Sequence, residues 1–491
     1  MKQGLLVLDL GTSSVRALII DSDLHTQCMH QCPIAIFTPK PSWVEQDPDE
    51  IWQACLSCIT AVLSQAKHLT LLGICITNQR ETTIVWEKET HRPIFNAIVW
   101  QCRRTAAMCQ DLASEASSIN AKTGLRVDPY FSATKLGWIL TQNTDFTRQA
   151  KDGKLLFGTV DSWIIWKLTE GRSHVTDVSN ASRTMLFNIH QLSYDEDLLA
   201  LFKIPSCMLP QVLPSVADFG HSSEMFTGKS LPILAVLGDQ QAALFSQCGR
   251  DRTKLKNTYG TGMFVVANTG NDIPKTDVLI NTIAWQYDNV LDYAIEGSIF
   301  FAGAAIQWLR DNLSLLENSA ESAELARSVD SNAGVYFVPA LAGLGAPYWD
   351  PDASGLFIGL SSATTKAHFC RAVLESLAYQ TKDVIDSMVG SMAHPNFKHL
   401  LADGGVSNNP FLMQFQADML GIPVHVSTFT ECTAYGIAGL AGIASHLWTE
   451  ESFRSQLTYA HTYTTKSAFQ DRQRLYSTWQ KAVSFSKAWP S

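Results

Sequence analysis

The first residues in this chain with chemistry to offer are an aspartate and the small hydroxylated residues after it. Asp9 ends a short apolar run, and Gly11-Thr12-Ser13-Ser14 follows. Glycine lets the backbone approach a ligand closely, and successive amides with the hydroxyls of Thr12, Ser13 and Ser14 can surround phosphate oxygens. Asp9 can hold magnesium directly or through water, and Arg16 aims a cation at the same turn. Taken alone, such a turn is more often structural. Tyr259-Gly260-Thr261-Gly262 is a second turn of this kind, equally weak by itself.

Asp239 lies where the apolar run 231–237 gives way to an Ala-rich segment. It can cap a helix, or it can be a general base that takes the proton of an attacking hydroxyl. Gln240 and Gln241 beside it can hydrogen-bond hydroxyls. Arg80-Glu81 follows the apolar run 71–77. Adjacent opposite charges are usually solvated, but these fall at a strand end, where α/β folds gather their ligands. Together they supply donors and acceptors for vicinal hydroxyls. Trp100 reads as plain core, or as an apolar wall for a carbon chain. One Gly-Thr turn opening each half of the chain is the signature of an ATP clamp, and the pairing shifts both turns toward phosphate binding.

Other phosphate and metal devices are excluded. Gly228-Lys229-Ser230 lacks the glycine five residues upstream that a P-loop needs, and it precedes a strand instead of following one. The chain has no H-E-x-x-H and no protein-kinase H-R-D set. Cys55 and Cys58 form a C-x-x-C, with Cys28 and Cys32 upstream. Ile51, Trp52, Cys55, Cys58, Ile59, Val62 and Leu63 follow helical spacing, so these thiols read as part of an apolar helix face.

The elements that must position these residues read as α/β. Runs 4–10 and 15–21 form a hairpin around the first turn, a helix covers 50–66, and 71–77 and 231–237 are buried strands. After about residue 250 the pattern begins again, with a strand and turn over 257–269. Helices over 298–313 and 365–389, a strand over 398–405, a helix carrying Phe411 and Phe415, and a buried Gly/Ala-rich helix over 434–445 follow. The chain has 491 residues, 46% hydrophobic and 17% charged, enough for two α/β lobes with buried cores. A net charge of −9 argues against nucleic-acid and anionic-membrane partners. No apolar run reaches the length of a membrane span. The odd total of 11 cysteines suits a reducing cytoplasm.

Longer segments resemble the FGGY carbohydrate kinase family, and within it the branch that phosphorylates glycerol. They include Trp43 to Pro48, Thr77 to Thr83, Asn96 to Trp100, Asp128 to Ser132, Phe157 to Trp163, Asn180 to Asn188, Gly238 to Phe245, Asn257 to Gly262, Gly303 to Arg310, Gly343 to Pro351 and Phe411 to Gln416. The resemblance implies two ribonuclease-H-like lobes of the actin and heat-shock-chaperone ATPase type, with the ATP and substrate cleft between them. The lobes are expected at 1–248, with the polyol site and first phosphate turn, and at 249–491, with nucleotide binding. It implies ATP and Mg2+ chemistry on glycerol, with Asp239 as base and Asp9 and Asp239 at the metal. Arg80, Glu81, Trp100, Tyr130, Asp239, Gln240 and Phe264 would line the polyol site. Thr12, Ser13, Ser14 and Arg16, with Thr261, would hold the phosphates, and Gly303, Gln307, Gly405 and Asn409 the nucleoside. A cytoplasmic enzyme, with homodimer or homotetramer left open, completes the expectation.

Three departures from the family pattern stand out. Leu10 replaces the usual Gln, and Cys102 replaces the Asp of Trp-Gln-Asp-Arg-Arg. The stretch Phe226 to Ser230 replaces a Gly-rich loop tied to sugar-bisphosphate inhibition. A kinase for another small polyol or ketopentose, and a non-catalytic sugar sensor on the same fold, are the alternatives.

Overall fold

Seven consecutive residues from Gly4 to Leu10, all apolar or small except Asp9, are buried and make a strand covered on both faces, as expected for a central position in a sheet. In the computed structural model, which describes residues 2–429 and 431–489, this strand is β1 (Gln3–Leu10). It turns at residues 11–13 into antiparallel β2 (Ser14–Asp21), and β2 pairs antiparallel with β3 (Thr26–Pro33). On its other side β1 pairs in parallel with β4 (Thr70–Asn78), and β4 in parallel with β5 (Ile233–Gly238). The order β5-β4-β1-β2-β3 places the carboxyl ends of three parallel strands side by side. Asp9 pairs with Thr77, and Asn78 with Gly238. Asp9, Arg80 and Asp239 therefore emerge from one edge of one sheet.

The helix Pro48–Gln65 covers one face of this sheet. It is opened by the Asp47 side chain, which accepts from the Asp49 amide, and by proline in the first turn. Its apolar stripe of Ile51, Cys55, Cys58, Ile59 and Val62 is buried in one core with Leu6, Leu8, Val15, Ala17 and Ile19, the helix lying chiefly on β2 and β3. Each such Leu, Ile or Val contributes about 1.5–3 kcal/mol when fully buried. Cys55 and Cys58 are free thiols in this core.

The chain divides into two units. The first holds Met1–Ser246, Asn281–Tyr293 and Glu431–Gln456; the second holds Gln247–Ile280, Ala294–Thr430 and Leu457–Ser491. The sequence reading places a single division at 248/249, and residues 281–293 and 431–456 lie in the first unit instead. The reason for the second return is visible in the helix Cys432–Ala444, which packs against β1, β4 and β5. A side chain at Gly436 would meet the carbonyl oxygen of Ala242 at 1.8 Å, so only glycine allows that helix to lie this close to the helix Asp239–Gln247.

The second unit repeats the start of the first. β6 (Lys254–Tyr259) and β7 (Met263–Gly270) form an antiparallel hairpin around residues 260–262. β8 (Val290–Ile299), whose last six residues belong to this unit, lies beside β7. β6 pairs in parallel with β9 (His399–Asp403), β9 in parallel with β10 (Val424–Ser427), and β10 antiparallel with β11 (Tyr459–Tyr463). The helix expected over 298–313 is shorter, Gly303–Asp311, because β8 runs on to Ile299. The expected helix over 365–389 is Lys366–Ser391. Among the described residues, no helix is long and apolar enough to cross a membrane.

Candidate active site

The edge of the first sheet carries a group of buried charges. Arg80 and Glu81 are only 2% and 1% exposed, so the adjacent pair is not a solvated one. Each nitrogen of the Arg80 guanidinium has a polar neighbour. Nη1 donates to Gln241 Oε1 at 3.2 Å and Nη2 to the Tyr130 hydroxyl at 3.3 Å, while Nε lies 3.4 Å from Asp239 Oδ1 and 3.8 Å from Glu81 Oε1. Gly238 makes room for this, since a Cβ there would meet Arg80 Cδ and Gln241 Oε1 at 2.8 Å.

Glu81 takes a left-handed backbone, φ 57°, uncommon for a residue with a side chain. Its surroundings hold it there. Arg183 Nε donates to Glu81 Oε1 at 2.6 Å, and the hydroxyls of Ser132 and Thr83 donate to its carbonyl at 3.0 and 3.1 Å. Lys135, fully buried, donates to the Tyr130 carbonyl at 2.6 Å. Burial pulls the Lys135 ammonium down to about 8, against the opposing charge of Glu81.

Asp239 begins its helix, half-exposed, and its carboxylate accepts from the Gln240 amide at 2.6 Å. Gln240 is half-buried beside it. Trp100 is half-buried too, with its ring 5.7 Å from that of Tyr130, edge to face. Thus Arg80, Glu81, Trp100, Tyr130 and Asp239 form one wall, part apolar and part charged, suited to a short carbon chain carrying hydroxyls. Phe264 is half-buried on β7 of the second unit.

The turn at residues 11–14 joins this wall. The Trp100 indole N–H donates to Thr12 Oγ1 at 2.9 Å, which leaves the Thr12 proton to donate elsewhere. Gln31 Nε2 likewise donates to the buried Ser14 hydroxyl at 2.8 Å, while Ser13 is exposed. Gln46 Nε2 fixes the Thr12 carbonyl at 2.6 Å, and Gln79 Nε2 fixes the Gly11 carbonyl at 3.3 Å. Arg16, paired across the hairpin with Asp9, donates from Nη1 to Asp9 Oδ2 at 3.4 Å and to Glu431 Oε2 at 2.5 Å.

Burial pushes the Asp9 carboxyl up to about 7; Arg16 opposes the rise, and the charges of Glu431 and Asp239 add to it. A buried carboxylate that feels a second one nearby is a poor place for negative charge and a good place for a divalent cation. The hard oxygen donors of Asp9 and Asp239 fit magnesium.

In the second unit, Gly303, Gln307, Gly405 and Asn409 line one cavity of about 460 Å³ with Ile306, Ser322 and Val406. Asn409 caps the helix Pro410–Leu420 through the amides of Phe411 and Leu412 and donates to the Ser322 hydroxyl at 3.1 Å. Thr261 lies on the turn of β6 and β7, its carbonyl accepting from the amides of Ala302 and Ala304 at the start of the helix Gly303–Asp311.

Sequence reasoning missed Arg183, Lys135 and Glu431. Arg183 stands in a segment whose likeness to the family was noted without a role for it. Glu431 meets Arg16 across 415 residues, and no local spacing signals that.

Family models for the N-terminal and C-terminal domains of the FGGY family of carbohydrate kinases match residues 5–246 and 255–445. A relative named glycerol kinase 2, from Thermotoga maritima, is 48% identical over 490 residues, with 99% of each chain covered. A glycerol kinase of Halalkalibacterium halodurans is 47% identical over 496 residues, again with 99% of each covered. The crystal structure of Plasmodium falciparum glycerol kinase with ADP superposes with a TM-score of 0.93 at 33% identity, covering 99% of this chain and 98% of that one.

Proposed function

The chain belongs to the FGGY family of carbohydrate kinases, and from that premise we propose that it transfers the γ-phosphoryl group of ATP to glycerol, giving ADP and sn-glycerol 3-phosphate. Its fold is the two-domain fold of that family, of the actin and heat-shock-chaperone ATPase type. The observation that carries the substrate is the buried Arg80-Glu81 pair, with Asp239 3.4 Å from Arg80 and Tyr130 and Trp100 beside it.

Arg80 donates to glycerol hydroxyls and Glu81 accepts from them, while Trp100 covers the carbon chain. Arg183 and Lys135 lie behind Glu81 and keep its charge in place. Asp239 accepts the proton of the terminal hydroxyl as that oxygen attacks the γ-phosphorus in line, and the bond to the β–γ bridging oxygen breaks as ADP leaves. Thr12, Ser13, Ser14 and Arg16 meet the phosphate oxygens, and the cavity lined by Gly303, Gln307, Gly405 and Asn409 takes the nucleoside. Asp9 and Asp239 would hold magnesium, which would supply positive charge to the phosphate oxygens. The loose transition state of phosphoryl transfer asks for alignment more than covalent help, and the densely tied wall around Arg80 provides it. The free cysteines and the acidic net charge support a cytoplasmic enzyme.

ADP release measured over glycerol, dihydroxyacetone, xylulose, ribulose and gluconate tests the reading. Glycerol should give the highest kcat/KM. A clear preference for a ketopentose would move the chain to another branch of the family, and no ADP release with any of them would leave a sensor.

A further inference from the structure

Arg16 is held by a residue from the far end of the chain. Its Nη1 is shared by Glu431 at 2.5 Å and Asp9 at 3.4 Å, and among the described residues its Nε and Nη2 have no hydrogen-bond partner. Glu431 stands at the start of the helix Cys432–Ala444 but makes no capping bond with its side chain, so the carboxylate is available for Arg16. The helix itself cannot shift freely. Gly436 touches the Ala242 backbone, and side chains at Gly439 and Gly442 would collide with Phe453 and Trp448. A rigid helix thus presents one carboxylate to one nitrogen of a flexible arginine. Without it, the guanidinium would be free to turn both prongs onto Asp9, the geometry arginine prefers with a lone carboxylate.

We propose that Glu431 is a positioning residue for phosphate binding: it pins Nη1 of Arg16, keeps Nε and Nη2 for the nucleotide's phosphate oxygens, and keeps Arg16 from neutralising Asp9. The inference rests on the reading of Arg16 as a phosphate ligand. It has a definite sign. A carboxylate acting only through its charge would repel phosphate, so removing it would tighten nucleotide binding; a carboxylate that positions Arg16 strengthens binding.

The test is the affinity of the full-length protein for ADP with magnesium, by calorimetry, for wild type, Arg16→Ala, Glu431→Gln and the double variant. Glycerol affinity is measured in parallel on each. Glu431→Gln should weaken ADP binding about tenfold, the size of one charge-assisted hydrogen bond, with glycerol affinity unchanged. Arg16→Ala should weaken it at least as much. The double variant should be no weaker than Arg16→Ala alone, because Glu431 acts through Arg16. Glu431→Asp, which keeps the charge, should recover part of the loss. Unchanged or tighter ADP binding in Glu431→Gln overturns the assignment, as do fully additive losses in the double variant or a parallel loss of glycerol binding. Unchanged ADP binding in Arg16→Ala sinks instead the reading of Arg16 as a phosphate ligand.

Discussion

The two units begin with the same hairpin and furnish it in opposite ways. In the first, residues 11–13 turn beside Asp9, Arg16, Glu431, Arg80, Glu81 and Asp239, a dense set of ionisable groups, half of them buried. In the second, the residues lining the cavity of about 460 Å³ are Gly, Ala, Ile, Val, Pro, Ser, Asn and Gln, with no ionised side chain among them. The difference fits the ligands proposed for the two sites. Hydroxyls and phosphate oxygens are recognised by charge-assisted hydrogen bonds, whereas a nucleoside offers flat apolar faces that shape and small residues can accept. Sharing a topology does not make the two units share an electrostatic design.

The largest effect should come from breaking the charged side at its reactive group. Asp239→Asn should keep glycerol affinity and lower kcat by about 10²–10⁴, the range for losing a general base. Near-normal turnover would place the base elsewhere. Next in size is Glu81→Leu. It takes the Glu81 carboxylate away from the buried Arg183 charge, so it should destabilise the protein by about 3–5 kcal/mol and abolish glycerol binding. Denaturant unfolding and glycerol titration check both parts, and a stable variant that still binds glycerol would show that the Arg183–Glu81 bond is dispensable.

The uncharged side should respond to shape alone. A Cβ at Gly405 meets nothing within 4 Å, yet Gly405 lines the cavity. Gly405→Ala should therefore fold normally, raise KM for ATP about tenfold, and leave KM for glycerol unchanged, as expected for one added methyl in a fitted pocket. An equal rise in both KM values would contradict the division of labour.

Two carboxyls sharpen the comparison further. Burial pushes both Asp9 and Asp383 up to about 7. Asp383, in the second unit, receives the Tyr476 hydroxyl at 2.6 Å and the Trp479 indole N–H at 2.8 Å, one on each oxygen. Among the described residues, Asp9 has only a long contact, 3.4 Å, to the Arg16 nitrogen it shares with Glu431. A similar shift thus marks a structural hydrogen-bond acceptor in one unit and a candidate metal ligand in the other, so the shift alone does not identify a site. Both folded values lie above the unfolded one, so the folded state binds the extra protons. Stability without metal should fall as pH rises from about 4 to 7 and then level off. Magnesium with ADP should raise the thermal midpoint more at pH 8 than at pH 5, and Asp9→Asn should remove that difference. A pH-independent magnesium effect in the wild type would count against Asp9 as a ligand.

What the sequence made legible was local. The runs ending at Asp9, at Asn78 and at Gly238 are strands because continuous apolar residues leave little else, and their ends bring Asp9, Arg80 and Asp239 to one edge. Arg80-Glu81 was harder, because adjacent opposite charges look the same in water and in a core; only the preceding strand hinted at burial. Arg183, Lys135 and Glu431 were not legible as site residues. Arg183 and Glu431 are lone charges whose partners are distant in the chain, 102 and 415 residues away, and Lys135 bonds a backbone carbonyl five residues back, which no charge pattern announces. The return of residues 281–293 and 431–456 to the first unit was hidden for the same reason, since nothing in a Gly/Ala-rich helix says which sheet it covers.

The smallest effect is expected at Cys102, where the charged unit departs from its own design. Cys102 is fully buried, and its sulfur accepts from Arg104 Nε at 3.0 Å. Arg104 Nη2 reaches Glu45 at 2.6 Å, and the guanidinium lies over Trp43 at 3.9 Å from the ring centroid. Among the described residues, Arg104 Nη1 has no hydrogen-bond partner. A thiol is a weak acceptor, so this cation is under-satisfied on the side that Cys102 faces. An aspartate at 102 offers two strong acceptors, and the gain of a hydrogen bond to a charged group, about 1.5–3 kcal/mol, is opposed by about 1–3 kcal/mol for crowding a packed core. Cys102→Asp should therefore leave the midpoint of unfolding unchanged or slightly raised. Arg104 touches neither Arg80 nor Asp239, so kcat/KM for glycerol should stay equal or improve. A loss of turnover in a stably folded Cys102→Asp protein would show that the Arg104 cluster steers the Trp100 wall, and that the charged unit depends on this thiol after all.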